Sequence, residues 1–559
     1  KEEDKAFYKS YVTKYKTRRT MVYGRGVNFQ EPSMADNLKF FFDYQVNHMY
    51  IRYFLWNFVG RQNDLHSDTP GDLTRGNWES GVKFLNQNPF QVRERDYAYA
   101  GSFYVFALWI GLGVLGLQNG LEKLLKKQDG MPAAAAAIAL GLVVPVLMGC
   151  QNWDDHDRSN RYTSIEEAYN YLNSCDANAI LITHGDNDTF PLWYAQEVEG
   201  IRTDIRIMNT SLLGMDWYID QMKCRSNASA PLPITLPRKD YLYGTNDFIR
   251  VVDAFGRPAT AQEVMAVFTN PKFRTGSVGA IAAQTITVPV DKEAALASGI
   301  VLPKDADKMI DSLVLTMPKG TTTITKTDLI LLDILANYDW KRPIYFVSQN
   351  GDCTFEIGKY LQFDGYAYKI VPIDCPQGSE PKQMDTDKMY DLVMNGYRFD
   401  SLRDTTINFD YFNLYAFSSV TPVRGIFNQV AYKLIDEERY DEAEQVLDRC
   451  YEVTPVKNIP YDVALIRGSN EYEVLTSVDN YLSIDRFEKA QKLGRAYIEE
   501  ATKSMLYSSQ IFRGGVLDED TLDREMQYAS YLARLFANYG YQEESDWINS
   551  RIKSLTEWD

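Results

Sequence analysis

The sequence predicts α/β plus all-α architecture: a transmembrane helical hairpin, a periplasmic α/β domain with a parallel sheet, and C-terminal tetratricopeptide-like helical repeats. Three observations predict it. Two uncharged apolar runs, Tyr97–Leu117 and Met131–Cys150, are each about 20 residues long, the length a helix needs to cross hydrocarbon. A strand–helix–strand pattern runs from Ala177 to Asn209. From about Pro422, apolar residues recur at helical-repeat spacing. A length of 559 residues suits three or four units of roughly 150 residues each. We place boundaries at 1–96 (a membrane-proximal, interfacial helical segment), 97–150 (the hairpin), 151–400 (the α/β domain) and 401–559 (the repeats).

The hairpin sets the topology. Its loop, QNGLEKLLKKQDG, carries Lys123, Lys126 and Lys127. The positive-inside rule puts that loop in the cytoplasm. The chain is then an inner-membrane protein with everything after Cys150 on the periplasmic side. A buried hairpin in a soluble fold is the plain alternative. The preceding segment, residues 37–60, is aromatic but carries Lys39, Asp43, His48 and Arg52. Charges of that number suit the headgroup zone better than a lipid-facing crossing. Arg52 and Arg61 are candidates to bind a lipid phosphate; alternatively they snorkel or pair with nearby acids.

Composition narrows the partners. Acidic residues outnumber basic ones 76 to 59, a net charge of -17, which argues against nucleic acid. With 45% hydrophobic and 24% charged residues the chain is too apolar for disorder. It begins at Lys1 and so reads as a processed product or part of a longer protein. Six dispersed cysteines match no zinc or redox spacing. Cys353–Cys375 or Cys175–Cys224 bridges are allowed outside the cytoplasm, and buried free thiols are equally consistent.

Beyond the hairpin, Asp154, Asp155, His156 and Asp157 crowd the membrane exit, followed by Arg158 and Arg161. Such a set could hold a divalent ion or meet a phosphate. A solvated loop capping the next helix, with Thr163 and Glu166 as a capping box, explains the same residues. Ala177–Thr183 reads as a buried parallel strand, His184–Thr189 as a polar turn, Phe190–Val198 as a helix with Pro191 in its first turn, and Asp204–Asn209 as a second strand. Asp328–Tyr338 and Arg342–Val347 repeat the helix–strand plan. Ligands of open α/β sheets collect at the carboxyl ends of strands. His184, Asp186, Asn187 and Asp188 are therefore the leading site. Asp186 and Asp188 could coordinate a cation or accept from sugar hydroxyls, although the same residue types are ordinary in turns and caps. Residues 224–320 read as an insertion on the sheet. No G-x-S-x-G, P-loop or H-E-x-x-H motif occurs.

In the tail, Phe427, Val430, Ala431 and Leu434, then Tyr440, Ala443, Leu447 and Pro455, fit one tetratricopeptide-like unit. Echoes occur at Val478, Tyr481, Phe487 and Ala490, and at Leu532, Leu535 and Tyr541. Such an array offers a concave face to a protein partner, or simply packs on the α/β domain.

The strings YIRYFLWNFVGRQND, RERDYAYAGSFY, NWDDHDRS, GDNDTFPLWYAQEVEGIRTD and NYDWKRPIYF resemble a family of large Bacteroidota membrane proteins of unknown function. That family is related to protein O-mannosyltransferases, in the class C glycosyltransferase superfamily. The resemblance covers most of residues 20–375, and the helical tail also looks like the family's C-terminal end. It implies a polyprenyl-phosphate sugar donor, an envelope protein or glycan as acceptor, and a multi-pass membrane domain carrying the catalytic acid. Only two crossings are present here, so no catalytic residue carries over. Arg52, Arg61, Arg93 and Arg95 are the candidates for the lipid phosphate, and a divalent metal is the other cofactor this chemistry admits. The alternative is a non-catalytic, membrane-anchored periplasmic scaffold whose repeats recruit an envelope complex.

Overall fold

The computed structural model describes residues 15–22, 25–51, 54, 99–125, 130–151, 153, 157–274, 279–351, 353–375, 378, 382–407, 409, 422–461, 470–513 and 519–556. Arg52, Arg61, Arg93, Arg95, Asp154, Asp155 and His156 lie outside them.

Both apolar runs are helices, Ala100–Leu125 and Met131–Gln151, packed against each other. Each is long and apolar enough to cross a membrane, and only 6% and 11% of their most apolar windows are buried. Leu112, Leu115, Leu140 and Val146 all point outward. Neither is therefore a core helix, and an apolar surface this continuous calls for lipid or a partner. Residues Phe41–Ile51 form a wide helical turn leading toward this hairpin. There Tyr50 meets the Tyr99 ring (5.5 Å) and its hydroxyl lies 2.9 Å from Ser102 Oγ.

The main sheet has five strands, in the spatial order Leu361–Asp364, Ala367–Ile370, Ile344–Phe346, Ile180–Thr183, Arg206–Asn209. The last three run parallel, with Ile180 opposite both Ile344 and Arg206; the other two form an antiparallel hairpin. Every residue of Ile180–Thr183 is buried, as its uninterrupted apolar pattern requires of a central parallel strand. Alternation divides it between two cores. Ile180 and Ile182 join Met208, Ile344 and Phe346 under the Lys326–Ala336 helix. Leu181 joins Ile207 and Tyr345 under the helices Thr163–Ser174 and Phe190–Glu197. The result is a sheet with helices on both faces. The 224–320 region, with strand Thr323–Thr325, adds two three-stranded sheets, one built from Thr285–Pro289 and Ser312–Thr316 with Ala259–Thr260.

One cap differs from expectation. Thr163 is the first residue of its helix rather than the cap, and Tyr162 precedes it without a side-chain bond. Glu166 instead accepts from the Ser401 amide (2.9 Å) and hydroxyl (2.8 Å), tying this helix to a segment far along the chain. Burial pushes the Glu166 carboxyl above its ordinary pKa, against those bonds. The six cysteines are free thiols, so neither allowed bridge forms.

After the sheet the described chain is helical. Pro422–Asp436 pairs with Tyr440–Val453, Asn470–Ser483 with Phe487–Arg513, and Glu519–Asn538 with Gln542–Thr556. Three turns with one geometry close these pairs. Arg439 N–H donates to Leu434 O (2.8 Å), Arg486 N–H to Tyr481 O (2.9 Å) and Tyr541 N–H to Phe536 O (2.9 Å). The residue before each of these donors has positive φ: Glu438 (59°), Asp485 (57°) and Gly540 (87°). That backbone is a helix C-cap of the left-handed type. Phe427, Val430, Ala431, Leu434, Ala443, Leu447, Val478 and Ala490 are all at 0% exposure in one core. Phe363 and Tyr366 of the sheet hairpin enter the same core, so sheet and tail are packed together.

Candidate functional site

The crevice at the carboxyl ends of the parallel strands is a cleft of about 550 Å³. The Ile180–Thr183 strand delivers His184 to it, and Arg206–Asn209 delivers Thr210 and Ser211. Asn350, Cys353 and Thr354 come from the loop after Ile344–Phe346. Thr325, Thr327 and Asp328 come from the start of the Lys326–Ala336 helix.

Hydrogen bonds make this wall rigid. His184 Nδ1 lies 3.2 Å from Thr210 Oγ1, which donates to Thr183 O (3.1 Å). Ser211 donates to His184 O. Thr327 Oγ1 donates to Thr210 O (3.1 Å), joining helix to strand end. Asp328 is the hub: it accepts from Thr325 N and Oγ1 (2.9 and 2.7 Å) and from Thr354 N and Oγ1 (both 2.9 Å). Thr325 is the helix cap and Asp328 its third residue, a reciprocal capping box. Buried and engaged by four donors, Asp328 holds the helix N-terminus to the Cys353–Phe355 loop; it is a positioning residue. What faces the cleft is chiefly hydroxyl, amide and imidazole. Such neutral groups pair with ligand hydroxyls rather than with a charge.

Of the sequence-predicted site residues among those described, His184 alone lines this cleft. Asp188 turns both carboxylate oxygens onto its own loop, accepting from His184 N–H and Gly185 N–H (each 2.7 Å). Asp186 caps the next turn through its backbone, where its carbonyl accepts from Phe190 N–H (2.9 Å), and its side chain is exposed, as is that of Asn187. Beneath them Thr189 Oγ1 meets Thr183 Oγ1 (2.7 Å) and accepts from Asn209 Nδ2 (2.8 Å). At the membrane exit, Asp157 accepts from Ser159 N–H (2.8 Å) in a tight turn, with Arg158 exposed beside it. Among the described residues, no cluster of three or more His, Cys, Asp or Glu could hold a metal ion. The capping box was legible as Thr325-x-x-Asp328. Thr210 and Ser211 are marked by following a strand. Asn350 and Thr354 carry no local signal.

The fold and cleft define a mixed α/β unit with a strand-end cleft, in a chain that also carries two apolar helices. Residues 164–388, less than half of the chain, match the family model described as TMEM260-associated domain 2; the match begins at the helix before the first parallel strand and ends beyond the sheet hairpin. No curated protein and no solved structure matches the chain.

Proposed function

We propose that this chain is the C-terminal, periplasmic part of a membrane glycosyltransferase-like protein, related to protein O-mannosyltransferases, and that its α/β unit binds the hydroxyl-rich acceptor. The carrying observation is the strand-end cleft. Thr210, Ser211, Thr327, Asn350 and His184 supply neutral hydrogen-bonding groups there, and Asp328, the one acid among the described lining residues, is engaged by four donors. A wall of that kind orients sugar or hydroxyl-bearing side chains without transferring anything itself. In the chemistry that the resemblance implies, an acid deprotonates an acceptor hydroxyl, which attacks the sugar carbon as the lipid phosphate leaves. That acid would come from a membrane domain, and the α/β unit would present the acceptor to it. The lysine-bearing loop between the two apolar helices supports the cytoplasmic side for that loop and the periplasm for the rest. The helical pairs, read as tetratricopeptide-like, would add a protein-binding surface.

The test is a glycan or mannose-peptide titration followed by saturation-transfer NMR on the full chain in detergent. His184→Ala combined with Asn350→Ala should weaken binding at least tenfold while leaving the melting temperature within a few degrees. Equal affinity of the variant and the parent would remove the cleft from consideration.

A second reading is a membrane-anchored assembly scaffold without catalysis. The thrice-repeated turn of the helical tail favours it, since such arrays commonly serve as docking surfaces. A pull-down in which the tail retains an envelope protein while the cleft binds no glycan would favour this reading.

A further inference from the structure

A cavity of about 660 Å³ lies away from the strand ends, beside the edge strand Arg206–Asn209. It opens between the helices Phe190–Glu197 and Asp216–Met222, and Trp193, Trp217, Gln221 and Cys224 contribute to its wall. Arg206 also lines it and is only 4% exposed. Its Nη2 donates to Gln221 O (2.6 Å), while Nε and Nη1 have no hydrogen-bond partner among the described residues. A second guanidinium compounds the problem. Arg342 Nη2 is likewise buried without a partner, and Arg206 is close enough to depress the Arg342 pKa, after burial itself. Arg225 adds a third cation at the rim. The two acids on the wall are directed elsewhere: Asp220 accepts from Arg238 Nε and Tyr241 OH (both 2.8 Å), and Glu197 from Asn227 Nδ2 (2.8 Å). An unpaired buried cation is costly, and a second of the same sign more so. The chain has a net charge of -17, yet among the described residues no acid is placed on Arg206.

We propose that this cavity binds a small ligand carrying an oxyanion, a phosphate or carboxylate group, with Arg206 as its counter-charge and Trp217 as a flanking platform. The bound anion compensates Arg206 and relieves its repulsion with Arg342. Trp217, 51% exposed, offers its ring to the apolar or sugar part of the ligand. This assignment is independent of the strand-end cleft.

Cys224 is exposed on the cavity wall and reports occupancy. The experiment follows its alkylation by mass spectrometry in the full chain in detergent, with millimolar inorganic phosphate or glucuronate. Phosphate or glucuronate should slow Cys224 alkylation at least fivefold, and whichever protects identifies the oxyanion. Arg206→Met should abolish that protection and raise the melting temperature in the absence of ligand, because it removes an unpaired buried charge. Trp217→Ala, at an exposed position, keeps the test open should Arg206→Met not fold, and should reduce protection by glucuronate, the probe with a sugar ring, severalfold. Absence of protection by either anion, or protection that persists in both variants, overturns the proposal.

Discussion

Asp186 and Asp188 stand two positions apart in the same turn, and the fold gives them different work. Asp188 closes the loop with two backbone N–H bonds of 2.7 Å, whereas the Asp186 side chain is exposed. Asp188→Ala should destabilise the chain by about 1–2 kcal/mol, because it strips the acceptor from two amides that water can only partly replace. Asp186→Ala should change stability by less than about 0.5 kcal/mol. Thermal melts of the two variants check this, and equal effects would remove the loop-closing role. The same contrast explains what could be read at this scale. That His184–Thr189 is a polar turn after a strand follows from composition alone. Which carboxylate faces inward depends on backbone dihedrals that no residue type specifies. Arg206 is a sharper case. In sequence it is one basic residue inside DIRIMN, and nothing local tells that its guanidinium lies buried against a cavity with two nitrogens unpaired.

Among elements, periodicity served well where a helix or strand buries one stripe. The strand expected over Ala177–Thr183 forms at Ile180–Thr183, and the helix expected over Asp328–Tyr338 forms at Lys326–Ala336. Both shifts lie at element ends, where capping rather than hydropathy decides. Most of the positions expected of the helical tail are core, Tyr440 being exposed, and two of the echo positions meet directly: the Phe487 and Tyr541 rings stack at 4.0 Å. Its turns supply the next prediction. Glu438, Asp485 and Gly540 occupy one left-handed position, which costs a residue with a Cβ about 1 kcal/mol relative to glycine. Gly540→Ala should therefore destabilise by about 1 kcal/mol, since open space surrounds the added methyl and only backbone strain opposes it. Glu438→Gly should stabilise by up to about 1 kcal/mol. Chemical denaturation measures both, and changes of the same sign would refute the common turn.

For the molecule as a whole, a charge network joins the sheet to the Thr386–Asp391 helix that follows it. Lys388, on the Thr386–Asp391 helix, pairs with Asp176 (2.8 Å) and with Asp364 of the sheet (3.0 Å). Lys369, on the neighbouring strand, pairs with the same two acids (3.1 and 3.5 Å). Burial works to raise both carboxyls, but the two ammonium groups together hold Asp176 and Asp364 below the ordinary range. Carboxylates with depressed pKa add stability above their unfolded value, near 4, and lose it as pH falls through the folded value. Stability should thus decline progressively below about pH 5. Lys388 is shifted the other way: burial opposes its charge, and the two carboxylates override it, so its pKa is raised. Its contribution is complete below the unfolded lysine value and fades only as strongly alkaline pH passes the folded one. Asp364→Asn should lower stability at neutral pH by about 3 kcal/mol, because it leaves two lysines facing one acid. It should also flatten the acid decline, as followed by denaturant melts between pH 3 and pH 7. An unaltered acid limb would show that other carboxylates govern it.

What the chain announces by itself is whatever nearest neighbours along it decide. Two charge-free runs must be helices with apolar surfaces and ILIT must be a buried strand, because hydropathy and strand alternation act over a few residues. The cleft and the arginine cavity are of another kind. Thr327 reaches Thr210 across 117 positions, and Arg342 is set beside Arg206 only because Ile344–Phe346 and Arg206–Asn209 flank the same central strand, Ile180–Thr183. Strand order and register brought those groups together, and they are fixed by how two separate cores close on the sheet, a property of the whole packed chain that no window of sequence contains.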